Sequence, residues 1–132
     1  MGEPQAKVFD YSVELSRDGV FAIPGGAGIE PPEGWTADDL LLAALLRCSL
    51  DSFTYHARRA GHEVREASGS ASGRVMRRES DGRFAFTSID CRLAIALSPQ
   101  PAEPADLVAK AERDCFVGAS LAIKPDYVWQ IG

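Results

Sequence analysis

With 132 residues and 14.2 kDa, the chain has the size of one domain able to bury a core of its own. An apolar fraction of 45% and a charged fraction of 25% are those of an ordinary globular protein and exclude a disordered, collagen-like or coiled-coil chain. The net charge of −5 argues against nucleic acid and anionic membrane surfaces as partners.

No stretch reaches the roughly 18 to 20 apolar residues of a membrane span. The first residues carry no apolar segment of a secretory signal, and Ala6 stands where myristoylation after Gly2 needs Ser or Thr. A cytoplasmic location is the expectation. Cys48, Cys91 and Cys115 form no Cys-x-x-Cys pair, which argues against a disulfide framework, a thioredoxin motif and a zinc ribbon. Two histidines, His56 and His62, add too few ligands for a Cys/His metal cage, so neither metal nor cofactor is expected.

In chain order, residues 7–15 alternate apolar and polar side chains, with Phe9, Tyr11, Val13 and Leu15 on one face, which predicts a strand. Ser16-Arg17-Asp18-Gly19 reads as a tight turn and residues 20–23 as the returning strand. Three prolines and four glycines in residues 24–34 predict a loop, and its lack of a closing Gly-Lys-Ser/Thr excludes a phosphate cradle. Thr36 is placed to cap a helix whose first turn holds Asp38 and Asp39. Residues 40–46 are apolar all round, as in a central buried helix, and Gly61 is the natural stop.

Residues 63–79 fit a strand whose small face, Ala67, Gly69, Ala71 and Gly73, lets a helix approach closely; their Ser/Gly content also fits a flexible loop. Ser80-Asp81-Gly82-Arg83 predicts a second hairpin turn, and residues 84–97 a strand with Ile89, Cys91, Leu93, Ile95 and Leu97 on one face. Pro104 opens a second helix, and residues 127–131 close the chain as a strand. The predicted order is ββ–α–ββ–α–β in a single domain over residues 1–132, an α+β class with mainly antiparallel sheet.

Cys48 sits midway along the most apolar helix. Two readings stand: a small buried hydrophobe or a reactive thiol. Cys115 ends the second helix behind Glu112 and Asp114, whose charges disfavour a thiolate there, and it could meet Cys48 only through folding. Cys91, flanked by Ile89 and Leu93, reads as core packing and inert. The two histidines read as surface residues at the helix C-terminus, and His56 lies too far along the helix to be a base for Cys48.

The stretch Trp35-Thr-Ala-Asp-Asp-Leu-Leu-Leu-Ala-Ala-Leu-Leu-Arg-Cys48 resembles the central helix of the OsmC/Ohr family of thiol peroxidases, in which an acid opens a Leu/Ala run that ends in cysteine. Ala111-Glu112-Arg113-Asp114-Cys115-Phe116-Val117-Gly118-Ala119-Ser120-Leu121 is similar to that family's second cysteine segment, and Trp129 to its closing aromatic strand. The resemblance runs over residues 7–132. It implies an OsmC-like fold, antiparallel sheets wrapped around central helices in an intertwined homodimer, with active sites at the dimer interface. It implies reduction of organic hydroperoxides, with Cys48 peroxidatic, Cys115 resolving, and a dithiol of the lipoyl type or another thiol restoring the disulfide. By position, Arg17 matches the family arginine after the first strand and Asp38 its helix-start glutamate. Asp38 is one methylene shorter than glutamate, Arg47 replaces a small residue before Cys48, and Phe116 and Gly118 replace the usual Pro and Ser.

The chemistry is consistent with those roles. A thiol of pKa about 8.5 is about 3% ionised at pH 7; lowering the pKa by two units ionises about three-quarters and needs about 2.7 kcal/mol. An arginine in a dry site supplies that scale. Asp38 could orient Arg17 through a bidentate pair, but ten residues of helix, about 15 Å, separate Asp38 from Cys48. A shared site therefore needs Asp38 from a second subunit or Arg17 as a bridge. The alternative reading is a non-catalytic OsmC-like protein that binds an apolar small molecule in an interface pocket. The Cys48–Cys115 separation discriminates between them.

Overall fold

The computed structural model describes residues 7–132; the readings at Gly2 and Ala6 lie outside them. The chain divides into two compact units with the boundary after Trp35.

In the first unit, β1 (Glu14–Leu15), β2 (Phe21–Ala22) and β3 (Gly28–Ile29) make a three-stranded antiparallel meander. The turn between β1 and β2 forms at the expected Ser16–Gly19, with the Gly19 amide bonding the Ser16 carbonyl at 3.1 Å and Gly19 at φ +82°. Pairing is shorter than the alternation in residues 7–15 predicts. Tyr11, Val13 and Leu15 stay exposed, so the apolar face finds no burial to extend the strand. The Gly/Pro segment, expected to be all loop, contributes β3.

The second unit, Thr36–Gly132, carries the three helices and the longer sheet. Helix α1 (Ala37–Arg59) starts at a capping box: the Thr36 hydroxyl accepts from the Asp39 amide at 3.3 Å, and the Asp39 carboxylate accepts from the Thr36 amide at 2.8 Å. It ends in a Schellman arrangement, His62 N–H to Ala57 C=O at 2.9 Å and Gly61 N–H to Arg58 C=O at 3.0 Å, with Gly61 at φ +88°.

Strands β4 (Glu63–Arg77) and β5 (Phe84–Ser98) form one long antiparallel hairpin, so residues 63–79 are strand and not loop. The small face of β4 aligns with the apolar face of β5: Ala67 opposes Ile95, Gly69 opposes Leu93, Ala71 opposes Cys91 and Gly73 opposes Ile89. Helix α1 lies on that face, with Leu46 Cδ2 at 3.3 Å from where a Gly69 Cβ would be. Every fourth residue of α1 is buried there, Leu45, Ser49, Phe53 and Ala57. With Leu107, Ala111 and Cys115 they complete the core over β5. The expectation that residues 40–46 are buried all round is not met within the chain: Leu45 alone is fully buried, Ala44 is exposed, and the rest are half-buried.

Helix α2 (Pro104–Arg113) and helix α3 (Phe116–Ser120) follow, then β6 (Asp126–Ile131). β6 pairs with β5 in parallel, not antiparallel as the hairpin reading implied. A helical crossover returns the chain to the end of the sheet where β5 began, which a hairpin loop does not do. α3 was not expected. Cys115 caps it, its sulfur accepting from the Gly118 amide at 3.4 Å. The observed order is βββ–α–ββ–αα–β, an α+β architecture with two sheets and three helices.

Candidate active site

Consecutive residues of α1 supply two polar groups to one place. Ser49 belongs to the buried stripe, and Cys48, about 100° round the helix, is partly exposed beside it. Cys115 arrives from the α2–α3 junction and is closed to solvent. The structure brings Cys48 and Cys115 together. Burial lifts the Cys48 pKa above its ordinary value, and the Cys115 thiol lifts it further by hydrogen bond and charge. The amides of Val117 and Phe116 act the other way, as donors to the sulfur. Among the described residues, no side-chain cation is among the groups acting on Cys48. Arg47, its neighbour in sequence, pairs with Asp51 at 3.2 Å on the exposed side of the helix.

A polar network holds Cys115. Ser49 Oγ lies 3.5 Å from Cys115 Sγ and 3.0 Å from the Tyr127 hydroxyl. Ser49 also hydrogen-bonds Cys91, which the sequence placed in the core and which is fully buried there. One turn on, the Ser52 hydroxyl donates to the Ala111 carbonyl at 2.8 Å, and His56 Nε2 lies 2.7 Å from Asp114 Oδ2. Hydrogen bonds from Arg113 and His56 hold the Asp114 carboxyl down at about 2. Ser49, Ser52 and His56 thus form one rail of α1 that fixes the segment leading into Cys115. His56 is not the surface residue expected. Its ring packs edge-on to Tyr55 at 5.1 Å and pairs with Asp114. The spacing i, i+3, i+7 on a helix with an adjacent apolar stripe was the signal in the sequence for this rail.

Of the other predicted site residues, Asp38 is exposed in the first turn of α1, where Asp39 and not Asp38 makes the capping box, and it is not part of the thiol cluster. Arg17 is exposed in the β1–β2 turn of the first unit. Among the described residues, no group of three His, Cys, Asp or Glu side chains could hold a metal ion, and no helix is long and apolar enough to cross a membrane. A groove of about 550 Å³ between α2 and β6 is lined by Val108, Glu112, Tyr127 and Trp129, so it reaches the Tyr127 ring.

The α+β unit thus places a partly open thiol on its central helix beside a closed thiol at the start of α3. The family model described as OsmC-like protein matches residues 30–129, and the chain belongs to that family. Its fold is similar to an OsmC-like protein of unknown function from Vibrio cholerae O1 biovar eltor, at 16% identity and TM-score 0.76, covering 92% of this chain and 99% of that one. It is also similar to an OsmC-like protein from Mycoplasma pneumoniae, at 16% identity and TM-score 0.68, covering 96% and 99%. An organic hydroperoxide resistance protein from Elizabethkingia anophelis matches at 14% identity and TM-score 0.65, covering 97% and 99%. A comparison with curated protein sequences finds no match.

Proposed function

We propose that this chain is a thiol-dependent hydroperoxide reductase acting on organic hydroperoxides. The observation that supports it best is the pairing of a partly open Cys48 with a closed Cys115. The Cys48 thiolate attacks the terminal peroxide oxygen; an S–O bond forms, the O–O bond breaks, and the alcohol leaves with a proton. Cys115 then attacks the Cys48 sulfenic acid, water departs, and a disulfide joins the two. An external dithiol, of the lipoyl class or another, returns both thiols.

Arg17 is assigned the charge that the second unit does not itself place on Cys48, and a hydrogen bond to the peroxide as charge develops. Asp38 is assigned the orientation of Arg17, from a second subunit or through Arg17 as a bridge. The two units then act as one domain in a cytoplasmic homodimer. The half-buried Leu40, Leu41 and Leu42 of α1 and the exposed Val8, Tyr11 and Val13 favour the dimer, because they leave apolar surface for a second copy to cover. The test is a peroxidase assay with tert-butyl or cumene hydroperoxide against hydrogen peroxide, with dihydrolipoamide as reductant. Wild type is expected to turn over organic substrates faster and Cys48→Ser to be inactive. Peroxide-treated wild type that keeps all three thiols free and its substrate unconsumed overturns the reading in favour of a small-molecule binding protein.

A further inference from the structure

Ser49 is closed to solvent, and its hydroxyl has one proton to give and two lone pairs to offer. It has three partners: the Tyr127 hydroxyl at 3.0 Å, the Cys115 sulfur at 3.5 Å and the Cys91 thiol. A Cys115 thiolate has no proton to give, so when that sulfur carries charge the 3.5 Å contact can only run from the Ser49 hydroxyl to the sulfur. The lone pairs of Ser49 are then left for the Tyr127 hydroxyl, 3.0 Å away, which has a proton to give. A second donor, the Gly118 amide, meets the same sulfur at 3.4 Å. Two donors thus converge on a sulfur that solvent does not reach, while the sulfur beside it, on Cys48, is partly open.

In a Cys48–Cys115 disulfide these asymmetries bear on reduction, a step that the proposed peroxidase cycle requires. We infer that this step is regiospecific: the incoming thiol attacks Cys48, Cys115 is the leaving group, and the Ser49 hydroxyl, positioned by Tyr127, receives the Cys115 thiolate. The reductant thiolate forms a bond to Cys48 Sγ as the Sγ–Sγ bond breaks, and the electron pair passes to Cys115 Sγ. The second thiol of the reductant then attacks its own bound sulfur and frees Cys48, leaving a cyclic disulfide. The two protons of the dithiol end on the two cysteines, and two electrons move from reductant to protein. Leaving-group stabilisation speeds thiol–disulfide exchange, and a hydrogen bond to a charged sulfur in a dry site outweighs one to a neutral thiol. Ser49 touches the reacting sulfur and is a catalytic residue of this step. Tyr127 holds the Ser49 hydroxyl at 3.0 Å and also hydrogen-bonds Cys115, so it acts on the sulfur both through Ser49 and directly. A further charged group acting on Cys91 is Glu112, whose carboxylate raises that thiol's pKa.

The test starts from a disulfide made with diamide, so it does not depend on peroxidase activity. Wild-type protein is oxidised, exposed to 2-mercaptoethanol, and alkylated at once with N-ethylmaleimide. Peptide mass spectrometry is expected to find the mercaptoethanol on Cys48 and the alkyl group on Cys115. The reverse assignment overturns the inference, as does failure of diamide to join the two residues. Stopped-flow reduction by dithiothreitol is expected to slow about tenfold in Ser49→Ala. Tyr127→Phe, which keeps the ring, is expected to slow it severalfold, and the two losses should be less than additive in the double variant. Unchanged rates in both single variants, or additive losses in the double variant, refute the coupling. Reduction that behaves as expected in a protein that consumes no hydroperoxide would remove only the peroxidase reading.

Discussion

Cys91→Val deletes a thiol that touches Ser49, yet turnover is expected to survive, because burial keeps that thiol protonated. Burial first, then the Cys115 charge, lift its pKa from 9.0 to about 11; the Ser49 hydrogen bond opposes them and Glu112 adds a smaller rise. That rise leaves Cys91 about 100-fold less ionised than an ordinary cysteine, about one molecule in ten thousand at pH 7. The side chain is also 0% exposed. Iodoacetamide at pH 7 should therefore label Cys91 in the folded protein at least about 100-fold more slowly than a free cysteine, as read by quantitative peptide mass spectrometry over a time course. The same shift has a sign for stability. The folded state holds this proton more tightly than the unfolded chain, so the contribution is complete below about pH 9 and is lost as pH rises through about 11. Its size is roughly 2 to 3 kcal/mol, and urea melts of Cys91→Val should show a smaller alkaline loss than wild type by about that amount. Labelling of Cys91 at the rate of a free cysteine, or loss of most turnover in Cys91→Val, would refute the reasoning.

Cys115→Ser should consume about one hydroperoxide per subunit and stop, with Cys48 held as sulfenic or sulfinic acid, whereas wild type shows a Cys48–Cys115 disulfide in peptide mass spectra. Analytical ultracentrifugation should find a dimer; a monomer at every concentration tested sinks the dimer proposal. Gly69→Ala should lower stability by about 1 to 3 kcal/mol, because the new Cβ runs into the Arg92 carbonyl and sits 3.3 Å from Leu46 Cδ2. A carbonyl in a paired strand cannot swing aside, so this cost exceeds the roughly 0.5 to 1 kcal/mol gained by replacing glycine; an unchanged thermal midpoint would show that α1 does not need the close approach.

Local chemistry made much of the second unit legible. Thr36 and Asp39 mark the start of α1, Gly61 its end, and Asp81-Gly82 the hairpin between β4 and β5, because caps and turns are settled by residues within a few positions of one another. The alternation of Ile89 to Leu97 correctly assigned the core face of β5 for the same reason. The first unit was less legible, since an alternating stretch becomes a long strand only if its apolar face has something to pack against, and Tyr11 and Leu15 remain exposed. Position along the chain picked out Cys48 and Cys115, but their meeting, and the convergence of Ser49, Cys91 and Tyr127 on the same point, were decided by tertiary structure. Those residues come from α1, β5, the α2–α3 junction and β6. Helical period tells that Ser49 faces inward with Leu45 and Phe53, but not which groups await it there. That depends on the parallel docking of β6 and on where the crossover leaves Cys115, long-range choices set by packing the whole core at once.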